Sequence, residues 1–273
     1  MTIRAGIGSG IRAGVRRGPN PEGGEGGGPG EPGSGPGEDP IPPGAGYAFF
    51  AVSESSFTVP SESDPPYVIE LVGAGGENLS SSSSRRPGGS GGAYARLELE
   101  ENPGALAITV GAPGTRTNTN TFVVDGESVT IALAEGGHVE GTSAADGGQA
   151  ANSIGDVVYS GGNAGSRGFG AGTNGGGGGG AGAWRDGDGA HGQNADDNIG
   201  GLGGASDMGF GGDGGSTGEP GGHAGFPGGG GGGMGSGDGS HPRTGEAGGG
   251  LVIVYWGGHP LLTKAQIESE LAS

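Results

Sequence analysis

Short apolar stretches closed by glycine or proline set the rhythm of this chain. Tyr67–Val72 is bounded by Pro65-Pro66 and Gly73, and Ala93–Leu99 alternates apolar and polar side chains after Tyr94. Leu106–Val110, Thr121–Val124 and Ser128–Leu133 follow at turn-sized spacings, with Asp125-Gly126 as the hairpin turn between the last two. Phe57–Pro60 and Val157–Tyr159 are shorter additions. Strands of this kind, punctuated by turns, predict an all-β antiparallel sandwich. Leu251–Trp256 is apolar at every position. A strand apolar on both faces belongs inside a sheet covered on each side, so its expected place is beside Tyr67–Val72. Helical spacing comes only at the end of the chain. Thr263 and Gln266 form a capping box, Leu262 is placed to staple onto Ile267, and Leu271 continues the stripe.

The N-terminal arm has its own period. Ile3, Ala5, Ile7, Ser9, Ile11, Ala13 and Val15 occupy odd positions, while even positions carry Arg4, Arg12, Arg16 and glycines. Alternation of two predicts a strand that pairs with a neighbouring sheet. A loose helical stripe through Ile3, Ile7, Ile11 and Val15 is opposed by glycines that cost a helix about 1 kcal/mol each. A lone strand is not stable in water. The arm therefore reads as a docking peptide that orders on a larger assembly, with a frayed tail as the alternative. Ile3, Arg4, Ile7, Ile11, Arg12, Val15 and Arg16 are its candidate docking residues.

Composition then separates the rest of the chain. Of 273 residues 77 are glycine, and none is cysteine, which excludes disulfides and thiol chemistry. An apolar fraction of 30% is too low for an ordinary enzyme core. The expected organisation is an arm (1–17), a Pro/Gly-rich linker (18–46), sandwich strands (47–160), a glycine tract (161–250), and a closing strand with helix (251–273). The tract offers few large apolar side chains to offset the entropy of ordering it. Two states are open to it. It is a disordered chain, or it forms three-residue-per-turn helices whose outward backbone groups bond directly to neighbouring helices. Stretches such as 175–180, 211–215 and 228–233 suit the second state, a packed polyglycine-II-type array. The absence of a strict triplet period excludes collagen. Trp184-Arg185-Asp186, His191–Asn194 and Phe226 would then sit at turns between rods.

The order of these segments resembles a known group. Phe57-Thr58-Val59-Pro60, Tyr67–Val72 with Gly73-Ala74-Gly75-Gly76, Gly91-Gly92-Ala93-Tyr94-Ala95, Ile108-Thr109-Val110-Gly111, the glycine tract, and Gly248-Gly249-Gly250-Leu251-Val252-Ile253-Val254 recur in that order. This is similar to the glycine-rich domains of tailed-bacteriophage tail fibres and tail-tip adhesins, over about residues 47–256. The resemblance implies stacked glycine helices and end loops that contact a host surface. Carried over, the receptor-contact candidates are Trp184, Arg185, His191, Phe210, Phe226 and His241. For Trp184 and Phe226 the alternative role is to anchor loops against glycine rods. The implied function is that of a virion structural protein in host attachment, with other virion proteins as partners and a homo-oligomer, a trimer by family likeness. A head fibre or capsid decoration, an ice-binding protein and a glycine-rich matrix protein are the rival readings.

Other chemistry finds little support. Gly73-Ala74-Gly75 follows a strand, but Asn78 replaces the third glycine of a dinucleotide loop and no helix follows. Gly88–Gly92 matches a nucleophile elbow yet precedes a strand. Asp186, Asp188, Asp196 and Asp197 lack calcium-loop spacing, and no two histidines are placed as His-x-His. No catalytic residue, metal or cofactor is expected, so the chain is not read as an enzyme. A net charge of −18 disfavours nucleic acid. No apolar run of about 18 residues predicts membrane insertion, and no signal-type apolar core is visible.

Overall fold

The computed structural model describes residues 14–17, 41–51, 54–77, 86–114, 119–139, 144–168, 175–235 and 244–272, with backbone alone at 14–17 and 54–55. Among the described residues are ten strands and one α-helix: β1 (Gly14–Arg17), β2 (Gly46–Phe50), β3 (Glu54–Thr58), β4 (Tyr67–Val72), β5 (Tyr94–Leu99), β6 (Ala105–Thr109), β7 (Thr121–Val124), β8 (Thr130–Ala134), β9 (Val157–Tyr159), β10 (Leu251–Trp256) and α1 (Lys264–Leu271). They form two antiparallel sheets, ordered β1-β2-β10-β4-β5-β9 and β3-β6-β7-β8. The molecule is the expected all-β sandwich with a short C-terminal helix.

β10 lies between β2 and β4, with Val252 opposite both Phe50 and Leu71. Its alternation explains why every residue of it is buried. Val252, Val254 and Trp256 face the smaller sheet, where they meet Leu106, Ile108, Val123 and Ala132. Leu251, Ile253 and Tyr255 face the other way, under Leu262 and Ile267. α1 carries the expected capping box of Thr263 and Gln266. β2 was not anticipated as a strand. Its sequence, Gly-Tyr-Ala-Phe-Phe, is apolar enough, but it directly follows the Pro/Gly-rich stretch that obscures its start. The β7–β8 turn also differs in detail. Asp125 Oδ1 accepts the Glu127 and Val129 amides, and the positive φ falls on Ser128 instead of Gly126.

At one end of the sandwich the strands run on into glycine rods. β4 continues as rod 73–77, β8 as 135–139 and β9 as 160–168, while rod 86–93 leads into β5 and rod 244–250 into β10. Rods 144–149, 175–183, 188–195, 199–204, 209–216, 219–225 and 228–235 pack with them. The composition boundary near residue 160 is therefore not a boundary of the rod array.

Rod 175–183 shows how the array is built. The amides of Gly176, Gly179 and Gly182 donate to Gly215, Gly212 and Gly209; those of Gly177, Gly180 and Ala183 to Arg86, Gly89 and Gly92; those of Gly178 and Ala181 to Gln193 and Ala190. Its carbonyls accept with the same period of three, from rods 160–168, 199–204 and 228–235. This is the direct helix-to-helix bonding that a three-residue-per-turn helix permits. The six neighbours also bond to one another in a closed ring: 160–168 to 188–195, 199–204, 209–216, 228–235, 86–93 and back. Rods 73–77, 86–93 and 228–235 likewise bond to six neighbouring segments, so the tract and the strand extensions form one hexagonally packed prism.

Glycine is required here for space. The glycines of 175–180 have φ outside the left-handed region, so other residues could adopt their backbone. A Cβ at Gly179, however, would fall on the carbonyl oxygen of Gly230. A carbonyl held in a rod cannot swing aside as a side chain could. Gly179→Ala is therefore expected to destabilise by about 3 kcal/mol or more, at the upper end of overpacking. Gly126→Ala, whose nearest neighbour is the Ala105 oxygen at 3.9 Å, should change stability by less than about 0.5 kcal/mol. Urea unfolding of the two variants compares them directly.

Candidate functional site

A threefold rod buries some of its positions and leaves others facing water, so the prism sorts side chains to its surface. Peripheral rods have amides that no neighbouring backbone reaches. Polar side chains at intervals of three satisfy several of them. On rod 188–195, Asp188 Oδ1, His191 Nδ1 and Asn194 Oδ1 accept from Ser160, Asn163 and Ser166 at 2.7, 2.8 and 2.8 Å. The backbone amides of Gly189, Gly192 and Ala195 return bonds to the carbonyls of the same three residues. Asp213 and Ser216 serve Gly203 and Gly200 in the same way. These polar residues are edge caps of a backbone lattice, the role that Ser, Asn and Asp play at helix ends. Asp188, though exposed, is thereby tied to the Ser160 amide.

Ser90, inside the apparent nucleophile elbow, has the same kind of task in the interior. It is fully buried, accepts the His138 amide at 2.7 Å and donates to the Asp146 carbonyl at 2.6 Å. It thereby fills the wedge between rods 135–139 and 144–149.

Where the rods meet the sandwich, a buried polar cluster joins them. Glu70 of β4 is 1% exposed. Its Oε1 accepts the Tyr94 hydroxyl at 2.6 Å and Arg185 Nε at 2.6 Å; its Oε2 accepts the Tyr255 hydroxyl at 2.8 Å and Arg185 Nη2. Arg185 Nη1 also donates to the Leu262 carbonyl at 2.6 Å, and its guanidinium lies 5.0 Å from the Trp184 ring centre. The cluster ties together the tight turn at Trp184–Gly187, the three strands β4, β5 and β10, and the start of the C-terminal segment. Burial and then the Glu70 charge push the Tyr94 and Tyr255 hydroxyls well above the ordinary phenol range. Burial opposes the charge on Arg185, but its bonds to Glu70 outweigh that and hold the guanidinium protonated.

The candidate contact residues thus fall into distinct environments. Trp184 is buried at 8% exposure, edge-on to Tyr94 at 5.8 Å, and so takes the anchoring alternative. Arg185 is held in the ion pair. Phe226 is half-buried against the same cluster of side chains beneath α1. His191 is exposed but serves as an edge cap, and Phe210 is 53% exposed, over Gly225. His241 lies outside the described residues, as do Ile3, Arg4, Ile7, Ile11 and Arg12. Val15 and Arg16 lie in β1.

Two exposed residues escaped the sequence reading. Ile199 and Leu202 are 65% and 57% exposed, and Ala205 continues their phase. Their spacing of three, about 9 Å on such a helix, sets them on one outward line. Phe210 and Asp213 form the outward line of the adjacent rod. The signal was present as a spacing of three among non-glycine residues. The buried cluster was also legible in part, since Glu70 is the only charge in an otherwise apolar strand.

The family described as the glycine-rich domain matches residues 50–257, and the chain belongs to it. No curated protein matches the chain.

Glu70→Gln removes the charge facing a half-buried guanidinium and is expected to cost about 3 kcal/mol, measured by thermal or urea unfolding. The tyrosines give a separate test at high pH. Unfolded phenols lose their protons near pH 10, while Tyr94 and Tyr255 retain them in the fold. The native state then binds more protons, so stability should fall as pH rises past about 10. Absorbance at the phenolate band should show these two titrating only with unfolding.

Proposed function

We propose that this member of the glycine-rich domain family is a non-enzymatic structural protein of a tailed-phage particle, in which a rigid rod prism displays a contact surface for host attachment. One observation carries the reading: the interior of the prism is backbone bonded to backbone, so nearly all side-chain chemistry of the tract faces outward. Such a body supplies shape and a surface, which is what a fibre or tip protein needs. The order of strands and glycine segments that resembles tail fibres supports the same assignment.

The contact surface assigned here is the outward line Ile199, Leu202 and Ala205 with neighbouring Phe210. Exposed apolar residues set at regular intervals on a rigid face favour contact with a partner surface. Trp184, Arg185 and Phe226 anchor the junction of rods and sandwich instead of touching the receptor. The N-terminal arm is the attachment to the particle, and a head fibre or capsid decoration would use the same arm on a different site.

Gold-labelled antibodies against residues 47–273, imaged on particles from a producing culture, test the reading. Label at the tail is the expected result. Label on the head would move the protein to decoration, and unlabelled particles would overturn the virion assignment. On tail-labelled particles, Leu202→Ser with Phe210→Ala should leave stability within about 0.5 kcal/mol and lower adsorption to cells at least tenfold.

A further inference from the structure

β1 and β2 are neighbours in the sheet, yet residues 18–45, 28 positions, separate them in the chain. Adjacent antiparallel strands are ordinarily joined by about two to five residues. A connection of this length spans up to roughly 100 Å when extended. The pairing it serves is short, from Gly14 opposite Phe49 to Arg17 opposite Gly46.

β2 itself is firmly placed. Its other edge bonds to β10 over Phe50 to Gly46, and Ala48, Phe49 and Phe50 are buried. Among the described residues only β1 covers its outer edge. Without β1, that edge would be an open row of backbone donors and acceptors on an apolar strand, a template for another strand. Nothing in the register distinguishes the chain's own residues 14–17 from the same residues of a second copy.

The geometry points to β1 as an exchangeable strand: residues 14–17 of one copy pair with β2 of a second copy, in the register seen within one chain. Reciprocal exchange closes a two-fold dimer, and onward exchange links copies in a row. The occupant is a second copy because the complementary segment belongs to this chain and its connection is long enough to reach. A connection of this kind gives an effective concentration of about a millimolar for the internal pairing. Exchange therefore overtakes internal pairing when copies are crowded to that level. The inference does not depend on the phage reading.

The absence of cysteine makes the test clean. Facing Cα atoms in an antiparallel pair are about 4.5–5.5 Å apart, within disulfide range. Val15→Cys on one tagged chain and Ala48→Cys on a differently tagged chain are refolded together at millimolar concentration and oxidised. The expected result is a disulfide between the two tags at these positions, at least tenfold more abundant than after refolding at micromolar concentration. The double variant Val15→Cys/Ala48→Cys should close within one chain at micromolar concentration. Internal closure of the double variant with no linkage between tags at millimolar concentration would overturn the inference. Failure of the double variant to close would overturn it too, by removing the pairing. Because Ala48 is in the core, Arg16→Cys with Tyr47→Cys provides a second facing pair should Ala48→Cys not fold.

Discussion

The structure depends on one constraint: a buried amide or carbonyl without a partner costs several kcal/mol, and here backbone groups must find their partners in other backbone. In an ordinary core, side chains fill the space between elements and sheets absorb the backbone bonds. This chain spends its glycines to bring backbones into direct contact. The interior rods then need neighbours on all six sides, which is why the strand extensions and the glycine tract close into one prism. Most interior glycines of the array leave no room for an atom beyond Cα, with Ser90, Ala181 and Met234 filling places that do, and the rim accepts many side chains.

The sandwich and the prism solve complementary problems. The sandwich has a conventional apolar core on both faces of β10 and supplies strand ends already in register. From Val72 opposite Tyr94, the pairing passes straight into the bond between Gly73 and Ala93. The rods thus begin from fixed starting points, so the entropy of aligning glycine-rich chains is partly met by strands that would pair anyway. Glu70 and Arg185 lock the far turn of the central rod back to the sheet. The ion pair stands where two kinds of order meet, and its tyrosines, Trp184 and Leu262 pack together in the core beneath α1.

The rim decides what the molecule presents to its surroundings. Asp188, His191 and Asn194 cap rod amides, which explains polar residues that would otherwise pass for solvated loops. Ile199, Leu202 and Phe210 remain exposed on a body with little freedom to fold over them. A rigid support and a fixed spacing limit the entropy lost on contact. That is the physical sense in which a glycine prism suits attachment.

Much of the fold was written in local pattern. The central place of Leu251–Trp256 beside Tyr67–Val72 followed from a strand apolar on both faces, and the α1 cap followed from Thr263 and Gln266. β2 was hidden by the Pro/Gly-rich stretch before it. The sequence by itself determined that the tract could not be held by side-chain packing, because it has too few large side chains. It did not determine which rods would be neighbours, since one glycine run resembles another and each can bond in six directions. That choice came from the strands, whose side chains set register and order. The fates of Trp184 and Arg185 were tertiary for the same reason: both sit in a turn that reads as an exposed loop, and only the return of β4, β5 and β10 places Glu70, Tyr94 and Tyr255 around them.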